Sequence, residues 1–193
     1  MSNPQIIVLS GPSGAGKDTV IRKLRLRNHR RHFIITATTR QPRAGEQDGV
    51  DYHFFTEATF QKMVNDGEFL EWAKVYDNWY GVPKQAVKQG LDENKDVIIK
   101  VDVQGAATIK KLVPQAILIF IAPPSHEELI RRLSRRGTET DAELRLRIAR
   151  AHEELENLEI FDYIVINHEN QADATAAEID NIIECEKQED TLK

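Results

Sequence analysis

Five short stretches of the chain, residues 5–10, 33–37, 97–103, 116–121 and 163–166, are apolar almost without interruption. Unbroken apolar runs of this length suit strands covered on both faces, as in a parallel sheet. Between several of them the apolar spacing changes to three and four residues. Val20, Ile21 and Leu24 mark one such helical face. Ser125 and Glu128 stand at capping-box spacing ahead of Leu129, Ile130 and Leu133. A helix opening at Asp141 carries Leu144, Ile148, Ala151, Leu155 and Leu158 as a steady stripe, and a last helix carries Ala176, Ile179, Ile182 and Ile183. Strand and helix in alternation predict an α/β fold built on a five-stranded parallel sheet.

The alternation lapses from about residue 38 to about residue 95, a stretch rich in aromatics, glycine and charge. Tyr52-His53-Phe54-Phe55 and Phe69-Leu70-Glu71-Trp72 alternate as short antiparallel strands do, with Phe60, Met63 and Val64 as a small helix between them. The pattern predicts a small mixed subdomain that binds a second substrate, inserted into a core of residues 1–37 and 96–193. At 193 residues the chain has room for one domain with such an insert.

The first apolar run leads into Gly11-Pro12-Ser13-Gly14-Ala15-Gly16-Lys17-Asp18-Thr19. A strand that runs into a glycine-rich turn and then a helix is the phosphate loop (P-loop) of a nucleotide-binding fold. Successive backbone N–H groups converge there, the positive end of a helix dipole faces the same point, and the lysine reaches the β- and γ-phosphates of a nucleoside triphosphate. The next position ordinarily holds a Ser or Thr whose hydroxyl ligates Mg²⁺. Here it is Asp18, with the Thr19 hydroxyl about 100° further round the helix. A carboxylate offers Mg²⁺, or one of its waters, a hard oxygen ligand, but repels a triphosphate that brings no metal.

Charge narrows the choice of partners. The formal net charge is −5, so no overall basic field draws in nucleic acid. The basic run from Arg22 to His32 reads as a solvated helix face in preference to a nucleic-acid patch, and the chain from Glu178 onward is mainly acidic. Cys185, the one cysteine, excludes an internal disulfide and fits a reducing compartment. The first apolar run is too short to span a membrane and has no secretory pattern. The expectation is a cytoplasmic protein without nucleic-acid or membrane partners, a monomer or a homodimer. His53, His126 and His152 show no metal-ligand spacing and read as structural or surface residues.

A second phosphate-binding segment follows the second apolar run: Thr36-Ala37-Thr38-Thr39-Arg40-Gln41-Pro42-Arg43-Ala44-Gly45-Glu46, with Tyr52 close behind. The planar fork of arginine suits a phosphate monoester. Further on stand Glu71-Trp72-Ala73, Trp79-Tyr80-Gly81-Val82-Pro83, Asp102-Val103-Gln104-Gly105 and Arg135-Arg136-Gly137-Thr138-Glu139. Together with the P-loop these segments resemble the guanylate kinases, members of the nucleoside monophosphate kinases, over nearly the whole chain. The resemblance implies a P-loop NTPase fold with a GMP-binding insert (about 38–95) and a helical lid (about 127–157). It implies the reaction ATP + GMP ⇌ ADP + GDP with Mg²⁺, action on dGMP as well, and a place in purine nucleotide recycling.

It also implies roles. Gly11, Pro12, Ser13, Gly14, Ala15, Gly16, Lys17, Asp18 and Thr19 take ATP. Arg40, Arg43, Tyr52 and Tyr80 hold the GMP phosphate, with Thr36 in the same contact set. Glu71 reads guanine, accepting from the ring N–H and the exocyclic amine, and Val82 lies beside the base. Arg132, Arg136 and Arg147 neutralise the moving phosphoryl group, completing a catalytic set with Lys17, Arg40 and Arg43. Asp18 and Asp102 are the candidates for Mg²⁺. Plainer readings stand beside three of these: Tyr52 as core, Asp102 as a helix cap, and Arg147 as a solvated helix charge.

Two further positions depart from the family pattern. Val82 replaces a common Ser or Thr, and Lys100 replaces a common Asp or Glu two residues before Asp102. Two other functions compete. A related kinase acting on a ribose phosphate shares the fold but needs neither Glu71 nor the acceptor segment. A non-catalytic protein-binding module of guanylate-kinase type would not need Lys17 and the lid arginines.

Overall fold

The computed structural model describes residues 3–27, 30–75, 77–134, 141–156 and 158–192, and within these not the side chains of residues 141–144, 147, 150, 156 and 189–192. In chain order the elements are β1 (Ile6–Ser10), α1 (Lys17–Arg27), β2 (Arg31–Phe33), β3 (Ala37–Thr38), β4 (His53–Phe54), α2 (Glu57–Asn65), β5 (Phe69–Val75) and β6 (Asn78–Pro83). There follow α3 (Lys84–Asp92), β7 (Asp96–Lys100), α4 (Val103–Leu112), β8 (Ile117–Ala122), α5 (His126–Ser134), α6 (Asp141–Glu156), β9 (Tyr163–Ile166) and α7 (Ala172–Leu192).

The main sheet is parallel and five-stranded, ordered β2-β7-β1-β8-β9. Every residue of β8 is buried, which accounts for its unbroken apolar run. On one face Val20 and Leu24 of α1 and Ile179 and Ile183 of α7 pack against Leu9 and Ile119. On the other, Val87 of α3 and Ile109 of α4 pack against Val8, Ile99 and Leu118. Full burial of one such side chain contributes about 1.5–3 kcal/mol. A smaller mixed sheet, ordered β4-β3-β6-β5, is the insert. Its own core is Phe60 of α2 stacked on Phe69 at 4.6 Å between ring centroids.

Residues 33–37 are not one strand. The Ile34 amide still donates to Ile98 in the main sheet at 2.9 Å, but the Thr36 carbonyl accepts from His53 in the small sheet, also at 2.9 Å. The apolar run is continuous because Ile34 and Ala37 are both buried, in different sheets. β4 is shorter than the aromatic alternation predicts and pairs with β3 in parallel, whereas β5 and β6 are antiparallel as expected. The run 97–103 stops as a strand at Lys100, because Asp102 caps α4 by accepting from the Gly105 amide at 2.8 Å. The capping box ahead of α5 is half made. Ser125 Oγ accepts from the Glu128 amide at 3.2 Å, but the Glu128 carboxylate turns to Arg132 at 2.7 Å.

The basic run is not simply solvated. Lys23 pairs with Asp173 at 2.8 Å, Arg27 with Asp180 at 3.3 Å, and the buried Arg31 with both Asp180 and Glu184 of α7. Part of the uneven charge along the sequence is thus a contact of α1 and β2 with α7. Among the described residues no helix is long and apolar enough to cross a membrane.

Candidate active site

One cavity of about 550 Å³ joins the P-loop to the inserted sheet. From the loop side it is lined by Gly11, Ser13, Gly14, Gly16, Lys17, Asp18 and Thr19. From the insert side come Thr36, Arg40, Arg43, Tyr52, Glu71 and Tyr80, and between them stand Lys100 and Asp102. Of the residues predicted for the site, Pro12, Ala15, Val82 and Arg132 do not line it. Arg136 lies outside the described residues, as does the side chain of Arg147.

The P-loop is fixed from behind. Gly11 has φ of 142°, and a β-carbon there would come within 2.2 Å of the Ile121 carbonyl oxygen. Gly16 has φ of 87°, and a β-carbon there would lie 2.5 Å from the Asn167 amide nitrogen. Only glycine fits such positions without strain. Asn167, which the sequence patterns do not single out, donates to the Ala15 carbonyl at 2.7 Å and accepts from Thr175 at 3.0 Å. Arg132 donates to the same carbonyl at 3.3 Å and to that of Asn167 at 2.9 Å. It therefore braces the loop from outside the cavity. Lys17 donates to the Gly11 and Pro12 carbonyls of its own loop. Burial lowers its pKa, while Glu154 and Asp18 oppose that shift.

At the far side of the cavity Arg40 lies over Tyr52, its guanidinium carbon 5.3 Å from the ring centroid. Both terminal nitrogens of Arg40 donate to Glu46, at 2.8 and 2.9 Å. Against the opposing effect of burial, bonding to Glu46 and Tyr80 keeps Arg40 firmly ionised. Glu46 also accepts from the Arg43 amide at 2.7 Å, so one carboxylate organises the acceptor loop. The sequence offers only a weak signal for this role, an acid beside Gly45 in an arginine-rich turn. Tyr52 packs edge-on to Tyr80 at 6.1 Å within the same wall.

Glu71 is 4% exposed and lies against Gly105, where an added β-carbon would be 3.1 Å from its carboxylate. Burial, and then the nearby Asp102 charge, push its pKa up to about 8. Val82 stands opposite Glu71 in the β5–β6 register but is fully buried among Ile34, Val87, Ile99 and Ala106. It packs the core beneath the Glu71 end of the cavity. Asp18 pairs with Lys100 at 2.8 Å. Among the described residues no group of three or more metal-ligating side chains is gathered.

The arrangement offers a loop for polyphosphate, a cationic and hydroxylic wall for a second phosphate, and a buried acid some way from both. The guanylate kinase family model matches residues 3–186. The guanylate kinase of Clostridioides difficile is 44% identical over 182 residues, spanning 94% of this chain and 88% of that protein. That of Caldanaerobacter subterraneus subsp. tengcongensis is 46% identical over 182 residues, spanning 94% and 87%. The crystal structure of guanylate kinase from Anaplasma phagocytophilum matches with a TM-score of 0.80 at 32% identity, covering 97% of this chain and 88% of that one. The P-loop, the arginine-rich acceptor loop and the buried acid therefore belong to a phosphotransferase enzyme, and the chain is a member of the guanylate kinase family.

Proposed function

We propose that this enzyme transfers the γ-phosphoryl group of ATP to GMP, giving ADP and GDP, and that it accepts dGMP in the same way. The observation that carries the reading is the shared cavity: the P-loop, the Arg40–Arg43–Tyr52–Tyr80 wall and the buried Glu71 all face it. Phosphoryl transfer needs alignment and charge stabilisation more than covalent help. Lys17 and the loop amides hold the donor, and Arg40 and Arg43 hold the acceptor phosphate. Glu71, once ionised, accepts from the ring N–H and amine of guanine. Neither end of this recognition calls on the ribose 2′-hydroxyl, which is why dGMP belongs in the proposal.

Mg²⁺ is part of the same reading. When bound with ATP it supplies charge neutralisation at the β- and γ-phosphate oxygens. The donor chemistry fits, since Asp18, Thr19 and Asp102 bring hard oxygen atoms to the cavity. Mg²⁺ is usually held by one or two carboxylates together with substrate phosphates and waters. Asp18 and Asp102 would do this here, one after giving up Lys100 and the other while capping α4.

The insert of about residues 38–95 and a lid of about 127–157 are proposed to close on the substrates. Arg132, Arg136 and Arg147 are assigned to the ATP side, Arg132 through the loop it braces. The role in the cell is nucleotide recycling in the cytosol. A coupled ADP-release assay with GMP, dGMP, IMP and AMP at fixed ATP and Mg²⁺ tests the reading. GMP and dGMP are used well, IMP less, and AMP at least about a hundredfold less efficiently. AMP turnover comparable with GMP would sink the assignment of Glu71 to the base.

A further inference from the structure

Asp18 and Lys100 each depart from the residue types expected at their positions, and in the folded chain they meet. Lys100 ends β7, in parallel register with Leu9 of β1, beside the point where the chain enters the P-loop. Its Nζ donates to Asp18 Oδ1 at 2.8 Å and lies 4.2 Å from the ring centroid of Tyr52. The same ring carries the Arg40 guanidinium. One ammonium thus touches an element of the donor site and an element of the acceptor wall.

The two partners are unequal. The Lys100 side chain is 19% exposed and anchored on a central strand, whereas that of Asp18 is 71% exposed at the start of a helix. The cation is thus part of the cavity wall, and the carboxylate is the more exposed member of the pair. An ammonium in that position needs an anionic partner, and Asp18 supplies one within reach of the phosphate-binding wall. A phosphate monoester carries more charge than a carboxylate and offers more acceptor atoms. It is the stronger partner for a compact ammonium beside an arginine fork.

We propose that Lys100 is a phosphate-binding residue of the acceptor site, and that Asp18 is its stand-in counter-ion until the acceptor phosphate takes over. This rests on the acceptor-site reading above. It adds a cation to that site and gives Asp18 a role before the nucleotides bind.

The test compares four proteins: the parent, Lys100→Met, Asp18→Ser and the double variant. Binding of GMP and of guanosine is measured by calorimetry without ATP or Mg²⁺. Thermal midpoints, kcat and both KM values are measured alongside. Lys100→Met is expected to weaken GMP binding about tenfold, equivalent to roughly 1.4 kcal/mol, and to leave guanosine binding unchanged. The KM for GMP rises more than the KM for ATP, and Lys100→Arg recovers part of the loss. Asp18→Ser binds GMP at least as tightly as the parent, because the competing carboxylate is gone.

The double variant decides the matter. If Lys100 binds phosphate, the double variant stays weak for GMP. If Lys100 serves only to neutralise Asp18, the double variant returns to parental affinity and the proposal is overturned. An equal loss of guanosine binding in Lys100→Met also overturns it, since guanosine carries no phosphate. Should Lys100→Met fail to fold, Lys100→Gln is judged by the same criteria. A parent that binds guanosine and GMP equally overturns the acceptor-phosphate reading itself, a result separate from any difference among the variants.

Discussion

Glu71 and Asp102 line the same cavity, and Glu71, the more deeply buried of the two carboxyl groups, has its pKa pushed above the usual carboxylate range. Its burial comes first and the Asp102 charge second in raising it to about 8. In the proposed pose guanine presents two donors to this group, so the ionised form is the one that would bind. GMP binding is therefore expected to tighten as pH rises towards 8, by at most about tenfold per unit, and to release a proton. Calorimetry in buffers of different ionisation enthalpy measures that proton. A proton count of zero at pH 7 would contradict the assignment.

The same shift has a stability consequence with a definite sign. An unfolded glutamate titrates near 4.5 and the folded one near 8. Between those values the folded state binds more protons, so this group makes stability fall as pH rises through the interval. Glu71→Gln removes the contribution. Thermal midpoints from pH 5 to 9 should decline less steeply in that variant than in the parent, and its GMP affinity should lose the pH dependence.

Lys17→Ala is expected to lower kcat by about a hundredfold or more while the fold persists, because the lysine meets charge that shifts during transfer. Its ammonium is costly to bury in the free protein, as its lowered pKa indicates. The thermal midpoint of the variant is accordingly expected to match or exceed that of the parent. Near-normal turnover in the folded variant would remove Lys17 from the reaction.

Glu46 makes a prediction separate from catalysis itself. It holds both terminal nitrogens of Arg40 and the Arg43 amide. Glu46→Ala is expected to raise the KM for GMP severalfold, with the KM for ATP close to that of the parent. A larger change on the ATP side would show that Glu46 does not act through the acceptor loop.

Gly16→Ala tests the support behind the P-loop. It would put a side chain at positive φ and within 2.5 Å of the Asn167 amide. A loss of about 1–3 kcal/mol in unfolding free energy is expected, with weakened ATP binding. Asn167→Ala made together with Gly16→Ala should recover some of the steric part and none of the conformational part. Denaturant titration of the two variants separates these contributions.

Much of this was legible in the residues because the chemistry was local. The P-loop is a continuous segment whose glycines are required by backbone geometry, and apolar runs such as 117–122 report burial on both faces. The acceptor arginines stand three apart in one turn. What escaped depended on long-range placement. Nothing near residues 33–37 marks the transfer from one sheet to the other, because Ile34 and Ala37 are both buried and apolar. Asp102 reads as a metal ligand with a helix cap as the plainer alternative, and only the fold shows that the Gly105 amide reaches it. Asn167 meets Ala15 only through the fold, 152 positions away. Asp18 and Lys100 looked like two unrelated departures until the β1–β7 register brought them together.

That ion pair also ties positions 18 and 100 to one another. Replacing Lys100 alone would leave the Asp18 carboxylate facing the P-loop side of the cavity without its lysine, and replacing Asp18 alone would leave the Lys100 ammonium facing the Tyr52 wall without that carboxylate. The effects of substitutions at the two positions are therefore expected not to add, and neither position can be read by itself.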